Sequence, residues 1–332
     1  MKVALIGAGR IGHLHARLLG AIAGVDELIV ADPVAERANE VATQVGAVAA
    51  PTVEAALDTA DAVVIAAATS AHADLIRASI GRGLPTFCEK PLAQDLPATL
   101  AVAEAIERSG VPFQLGFQRR FDPGYGEARR MVESGELGTL YAFRLAGHDP
   151  APPHESYIPQ SGGLFRDFSI HDFDILRWLT GSEVDEVYAD GGVRGFPMFA
   201  KYNDVDTAVV TLRMADGALG VMTVARHDPL GYDIRAELFG SRDSISVGLG
   251  PRTPIRSVEP GVPPLPGPAW PDFLDRFGAA YAAELAVFIR VANGLEASPC
   301  TARDGLHALR IAEAATRSLV EHRVVRLEEI AS

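Results

Sequence analysis

Between Gly162 and Asp174 the chain reads Gly-Gly-Leu-Phe-Arg-Asp-Phe-Ser-Ile-His-Asp-Phe-Asp, an apolar run in which ionisable side chains recur. On a helix turning about 100° per residue, Asp167, His171 and Asp174 would fall within about 60° of one another. Two carboxylates and an imidazole on one face, set among Leu164, Phe168, Ile170, Phe173, Ile175, Leu176 and Leu179, could handle a proton. Such groups are rarely buried unless they are paired or functional. The alternative is a helix whose polar residues face solvent, or one in which Asp167 and His171 only satisfy each other.

A second group lies at the start of the chain. Gly7-Ala8-Gly9-Arg10-Ile11-Gly12 follows a strand-like run and opens a helical one. There Gly7 permits a tight turn, Gly9 lets backbone N–H groups approach a pyrophosphate, and Gly12 lets the helix lie close to the sheet. Asp32, 20 residues after Gly12, ends the next strand-like run and is placed to accept hydrogen bonds from a ribose. Its charge would repel a 2′-phosphate, and no Arg lies directly beside it, so NAD is expected over NADP. A third group, Glu89-Lys90-Pro91, closes another strand, where open α/β sheets place their ligands. A lysine beside a cationic nicotinamide ring could have a lowered pKa and move a proton; the other reading is a solvated lysine in a turn.

The elements that must position these groups change character along the chain. Candidate strands at Val3–Ile6, Leu28–Ala31, Ala62–Ala67, Thr86–Cys88 and Phe113–Leu115 alternate with Ala-rich helical stretches, which predicts a parallel, doubly wound sheet. After about Gln118 come helices near 124–134 and 167–179 and strands near 186–189, 207–214, 218–225, 234–239 and 244–247, joined by tight turns such as Ala215-Asp216-Gly217. The expected class is therefore α/β: an N-terminal Rossmann dinucleotide-binding domain, residues 1–119, followed by an α+β domain, residues 120–332, with a largely antiparallel open sheet. The stretch from Pro251 to Pro271 holds eight prolines and reads as a connector, with a lid or an oligomer contact as other readings. Helices are expected at 272–293 and 302–321.

A chain of 332 residues is long enough for two cores. Its formal charge of −13, with no basic cluster interleaved with aromatics, argues against a nucleic-acid partner and leaves a small molecule as the expected one. The longest apolar run, Ala62–Ala68, falls far short of the roughly 20 residues that span a bilayer, so no membrane association is expected. Two cysteines without ligand spacing, and no export signal ahead of Lys2-Val3-Ala4-Leu5-Ile6, suggest a reducing cytoplasm. His13 and His15 are read as packing or capping residues, Tyr281 and Phe288 as core, and no metal is expected.

Taken together, these groups resemble the glucose-fructose oxidoreductase, inositol dehydrogenase and rhizopine-catabolism (Gfo/Idh/MocA) oxidoreductases along essentially the whole chain. The resemblance rests on Gly7 to Gly12 with His15 beyond, Thr69-Ser70-Ala71-His72, Glu89-Lys90-Pro91, Gly116 to Pro123, and Asp167 to Asp174. The stretch from Asp149-Pro150-Ala151-Pro152-Pro153 to Asp167 looks like the inositol 2-dehydrogenase branch. The resemblance implies a catalytic group of Lys90, Asp167 and His171, with Arg10 and Ile11 lying in the cofactor turn. It places Thr69, His72 and Glu89 around the nicotinamide half of the cofactor, and Arg119, Asp149, Asp174 and Tyr232 as polyol contacts. It further implies a cis Lys90–Pro91 bond and a homo-oligomer, tetramer or dimer, paired through the second-domain sheets. One departure stands out: His148 occupies a position where Arg is expected before Asp149-Pro150.

The implied reaction is oxidation of a cyclic polyol, myo-inositol to the 2-keto product first, with other inositols, pyranoses or anhydrosugars as alternatives. A secondary alcohol releases hydride only as its hydroxyl proton leaves, so the site needs a base beside the hydroxyl. His171, with an ordinary pKa of about 6.5, suits that task, Asp167 would steady its ring, and Lys90 would stabilise the developing oxyanion. The reverse assignment, with Lys90 as proton acceptor, stays open, as does a nucleotide-binding sensor without turnover.

Overall fold

The structure is a computed structural model that describes residues 1–263 and 266–330; positions 264 and 265 of the proline-rich connector lie outside the described residues. The described residues divide into two compact units, Met1–Phe121 with Ala279–His307, and Asp122–Gly278 with residues 308–330.

The first unit runs β1 (Lys2–Ile6), α1 (Arg10–Leu19), β2 (Glu27–Ala31), α2 (Ala35–Val45), β3 (Val48–Ala49), α3 (Val53–Thr59), β4 (Ala62–Ile65), α4 (Thr69–Ile80), β5 (Thr86–Glu89), α5 (Leu96–Ser109) and β6 (Phe113–Gly116). Its six strands are all parallel in the order β3-β2-β1-β4-β5-β6. The order reverses between β1 and β4, which opens a ligand crevice at the carboxyl ends of those strands. Helices cover both faces, so Val3, Ala4, Leu5, Val63 and Val64 are wholly buried and the central strands read as unbroken apolar runs. Two elements escape the sequence pattern, β3 and α3. A two-residue edge strand carries no periodicity, and α3 is fixed by the Thr52 side chain accepting the Ala55 N–H rather than by a broad apolar face.

Residues 279–307 join this first unit, whereas the sequence reading gives everything after 119 to the second. The reason is packing: Leu285, Phe288 and Ile289 enter the core formed by Val3, Leu5, Val30, Val64 and Phe87. Their helical spacing shows an apolar face but not its destination.

The second unit contains α6 (Pro123–Glu133), β7 (Leu140–His148), α7 (Ile158–Ser161), α8 (Ile170–Thr180), β8 (Val184–Gly192), β9 (Thr207–Met214), β10 (Leu219–Ala225), β11 (Asp233–Gly240) and β12 (Ser244–Val247). The long helices α9 (Phe273–Ala292) and α10 (Ala302–Glu321) follow, and β13 (Val325–Arg326) closes the sheet. Seven strands lie in the order β12-β11-β7-β10-β9-β8-β13, antiparallel throughout except for the parallel pair β7 and β10. β7 is absent from the sequence expectation although it sits near the middle of the sheet. Phe143 and Leu145 are buried and Arg144 between them is exposed, a short period-2 pattern diluted by Ala142, Ala146 and Gly147.

The parallel pair has a geometric consequence. Because β7 and β10 run the same way, with His148 opposite Ala225, the residues that follow each strand emerge at the same end of the sheet. Asp206 braces the neighbouring loop there. It is 2% exposed and accepts the N–H groups of Arg194, Gly195 and Phe196 at 2.8, 2.8 and 2.7 Å and the Thr207 hydroxyl at 2.9 Å. Burial pushes its pKa upward, but these donors outweigh burial and hold it below the ordinary carboxylate value. A depressed carboxyl stabilises the fold above its unfolded pKa of about 3.9, and that contribution is lost as pH falls through the lower folded value. Asp206→Asn should therefore cost about 1.5–3 kcal/mol in urea unfolding at pH 7, and the deficit should shrink toward pH 3. A deficit that does not change with pH would remove the charge from this account.

Among the described residues no helix is long and apolar enough to cross a membrane.

Candidate active site

The cofactor turn is built as its glycines require. Gly7 has φ +105°, and a Cβ there would lie 2.6 Å from the Ala66 backbone; a Cβ on Gly12 would lie 2.0 Å from the Gly7 carbonyl oxygen. At Gly9, by contrast, a Cβ would meet nothing within 4 Å. Gly9 also N-caps α1 without a side-chain hydrogen bond, and the first turn holds no acidic residue, so the positive end of the helix is not neutralised locally. An open approach to uncapped N–H groups fits a pyrophosphate. Asp32 completes the turn: its Oδ2 accepts the Ala8 N–H and its Oδ1 the Val34 N–H, both at 2.8 Å. Each oxygen keeps a lone pair, so the same carboxylate can brace the glycine turn and still accept from ribose hydroxyls.

At the end of β5, the Lys90–Pro91 bond is cis, as the resemblance implies. The Glu89 Oε1 stands 2.7 Å from the His15 Nε2, and the His15 ring packs edge-on against Phe87 and Tyr281. His15 is thus core, as expected, but it also fixes Glu89, a pairing that no local spacing reveals. His72 is 1% exposed, with Nδ1 at 2.7 Å from the Pro91 carbonyl oxygen and Nε2 at 3.1 Å from that of Ala67. Burial lowers its pKa against the pull of those carbonyls. The ring nitrogens both face backbone, so His72 joins the β4–α4 turn to the Lys90–Pro91 turn, a bracing task where the resemblance implies a place beside nicotinamide. Thr69 opens α4 and is partly exposed.

In the second unit, two consecutive left-handed glycines, Gly162 and Gly163 at φ +81° and +92°, lead into a π-helical turn, Phe165–Ser169, before α8 begins at Ile170. The uniform helix expected from 167 to 179 is therefore not uniform. A π-turn breaks the i, i+4 register between Asp167 and His171, and such turns recur at functional sites. β7 approaches closely: a Cβ on Gly147 would lie 2.7 Å from the Phe168 ring and 3.1 Å from the Asp172 Oδ2.

Asp167 accepts the Tyr157 hydroxyl at 2.9 Å on Oδ1 and the Arg226 Nη2 at 2.8 Å on Oδ2. The Arg226 Nη1 lies 3.4 Å from the Asp149 Oδ2. Arg226 follows β10, Asp149 follows β7, and the parallel pairing brings them together. Arg226 is 3% exposed; burial opposes its charge, but Asp167, Asp149 and Asp204 hold its pKa above the ordinary arginine value. The sequence reading missed Arg226. Its one local signal is a charged residue directly after an apolar strand.

His171 lies in the first turn of α8 and is partly exposed. Of the four expected polyol contacts, Arg119, Asp174 and Tyr232 are 2%, 1% and 5% exposed, while the Asp149 side chain keeps 20%. Tyr232 packs edge-on against Phe277, and its N–H donates to the Trp270 carbonyl at the end of the proline-rich connector. His148 stands 3.1 Å from the Thr223 hydroxyl, with its Nδ1 3.7 Å from both Asp228 and Asp233. These three could hold a metal among the described residues, but both Asp233 oxygens already receive the Arg235 guanidinium at 2.8 and 2.9 Å. The cluster reads as an ion network.

Comparison with known proteins decides the family. Residues 1–117 match the oxidoreductase family with an NAD-binding Rossmann fold, and residues 125–246 match the GFO/IDH/MocA C-terminal domain. The chain belongs to the Gfo/Idh/MocA oxidoreductases. It is 41% identical over 323 residues to the myo-inositol dehydrogenase Hyg17 of Streptomyces leeuwenhoekii, covering 96% of this chain and 97% of that protein. With the myo-inositol 2-dehydrogenase of Thermotoga maritima it shares 37% identity over 335 residues, 99% of each chain. The solved scyllo-inositol dehydrogenase of Lactobacillus casei, with bound NAD(H) and scyllo-inositol, superposes with a TM-score of 0.89 at 26% identity, covering 99% of each chain. This Gfo/Idh/MocA chain is thus an NAD-binding oxidoreductase with a Rossmann unit and a second, mixed-sheet unit.

Proposed function

We propose that the protein oxidises a secondary hydroxyl of an inositol, myo-inositol to its 2-keto product being the first choice. The observation that carries this reading is the polar end of the second sheet, where Asp149, Asp167, Tyr157 and Arg226 converge in a chain whose first unit is shaped for NAD. Carboxylates that accept hydrogen bonds suit a ligand rich in hydroxyl donors. The full-length similarity to proteins named for myo-inositol adds the substrate class.

When bound, NAD supplies the hydride acceptor. The residues of the chain supply the rest: His171 takes the hydroxyl proton as the C–H bond is lost, Asp167 steadies the imidazolium, and Lys90 hydrogen-bonds the oxygen as it becomes a carbonyl. Products balance as ketone, NADH and one proton. We further infer a homo-oligomer, a tetramer first, paired through the outer sheet face, where Val209 and Leu219 are exposed. The cytoplasm, which supplies NAD, is the inferred compartment.

The test is NADH formation by purified protein across myo-inositol, scyllo-inositol and other inositols, glucose, xylose and anhydrosugars, with NAD and with NADP. Turnover highest on myo-inositol with NAD is expected. Highest turnover on another polyol would overturn the choice of substrate, and NAD binding without turnover on any of them would favour a sensor.

A further inference from the structure

The acids at this site are held by a cation that belongs to neither the cofactor turn nor the proposed catalytic group. Arg226 is nearly closed off from solvent, and its Nη2 and Nη1 reach Asp167 at 2.8 Å and Asp149 at 3.4 Å. It is anchored from behind, because its own N–H donates to the Asp206 carbonyl at 2.8 Å. Its guanidinium carbon lies 5.7 Å from the Phe168 ring centroid, so the residue next to Asp167 supports it as well. From the other side the Tyr157 hydroxyl donates to the second Asp167 oxygen. Asp204 adds a third negative charge to the surroundings of Arg226 while its Oδ1 accepts the N–H of Leu164, just ahead of the π-turn.

Resting on the reading above, we propose that Arg226 is the positioning residue of this site: it keeps Asp149 and Asp167 as carboxylates and aims Asp167 to support the proton acceptor. Asp167 then carries a fixed negative charge through the reaction and does not exchange a proton with His171. The groups that set the charge at this point are Asp149 after β7, Asp167 in the π-turn, Asp204 before β9, Tyr157 in the preceding 3₁₀ turn and His171 on α8. Against them stands Arg226, a permanent cation paired with both Asp149 and Asp167. Without it, carboxylates crowd one partly buried space, and one of them takes up a proton nearer neutrality, as like charges at close range require.

The test compares Arg226→Met and Arg226→Lys with the wild-type enzyme. In the methionine variant the acidic limb of the kcat/KM profile should move up by about one pH unit or more. The fall in kcat/KM should accordingly be steepest below neutrality and partly recover at alkaline pH. Lysine, which keeps the charge but cannot bridge both acids, should restore most of the limb and less of the rate. NAD affinity should be unchanged. A second readout needs no substrate. A carboxyl whose folded pKa is raised favours the folded state at low pH and loses that advantage as pH rises through the raised value. The Tm deficit of Arg226→Met should therefore be larger at pH 8 than at pH 5. An unmoved limb together with a pH-independent Tm deficit would reduce Arg226 to packing and overturn the proposal. If the wild-type protein oxidises no polyol while the Tm deficit still depends on pH, the substrate reading fails and the charge-setting role of Arg226 stands.

Discussion

His171→Ala is expected to lower kcat by about 10²–10⁴-fold while leaving NAD affinity unchanged. The separation follows from where the groups lie: Gly7 to Gly12 and Asp32 belong to the first unit, His171 to the second. Steady-state NADH formation and a fluorescence titration with NADH read the two effects independently. The same variant decides between the two proton acceptors. If His171 takes the proton, the acidic limb of the rate profile vanishes with it. If Lys90 takes it, that limb survives in His171→Ala and disappears in Lys90→Met. A His171→Ala enzyme with a near wild-type rate would remove the imidazole from the mechanism altogether.

The second large effect concerns two glycines of the cofactor turn that look alike in sequence and differ in surroundings. Gly12→Ala would set a methyl 2.0 Å from the Gly7 carbonyl oxygen, which is backbone and cannot rotate away. A cost of about 3 kcal/mol or more is expected, seen as a lower Tm and loss of NAD binding together. Gly9→Ala places its methyl in open space at an ordinary φ of −77°. Its Tm should stay at the wild-type value while NAD binding weakens at least tenfold, because the methyl occupies the space through which a pyrophosphate reaches the α1 N–H groups. A Gly9→Ala protein with unchanged NAD affinity would place the pyrophosphate elsewhere.

The contrast between these glycines shows how far local pattern carries. Strand, glycine turn, helix and a following acid are close in sequence, and the physics that selects them acts over a few residues. The β1–α1 turn, Asp32 and the Lys90–Pro91 turn were therefore legible directly. So were β4, buried on both faces, and α10, with its long apolar face. β7 was not legible, since Ala142, Ala146 and Gly147 thin out its alternation and only its neighbours β10 and β11 show that it is central. The π-turn was hidden as well. Helical spacing assumes a constant rise and angle, and the chain departs from both where Gly162, Gly163 and Asp204 hold it.

The sequence by itself determined that the chain contains a glycine-rich strand-to-helix turn, an acid at the end of the next strand, a lysine at a strand end and a run of acids and a histidine set among apolar residues. Each is a short-range pattern with a local physical cause. The tertiary structure alone decided which partner each of those groups meets. Asp149 reaches the Arg226 guanidinium across 77 residues because β7 and β10 run in parallel and deliver their following residues to one end of the sheet, and Asp167, in the π-turn, joins the same guanidinium across 59. His15, on α1, finds Glu89, at the end of β5, across 74 residues of the first unit. Periodicity tells a side chain which face it occupies; only the order of the strands tells it what lies opposite.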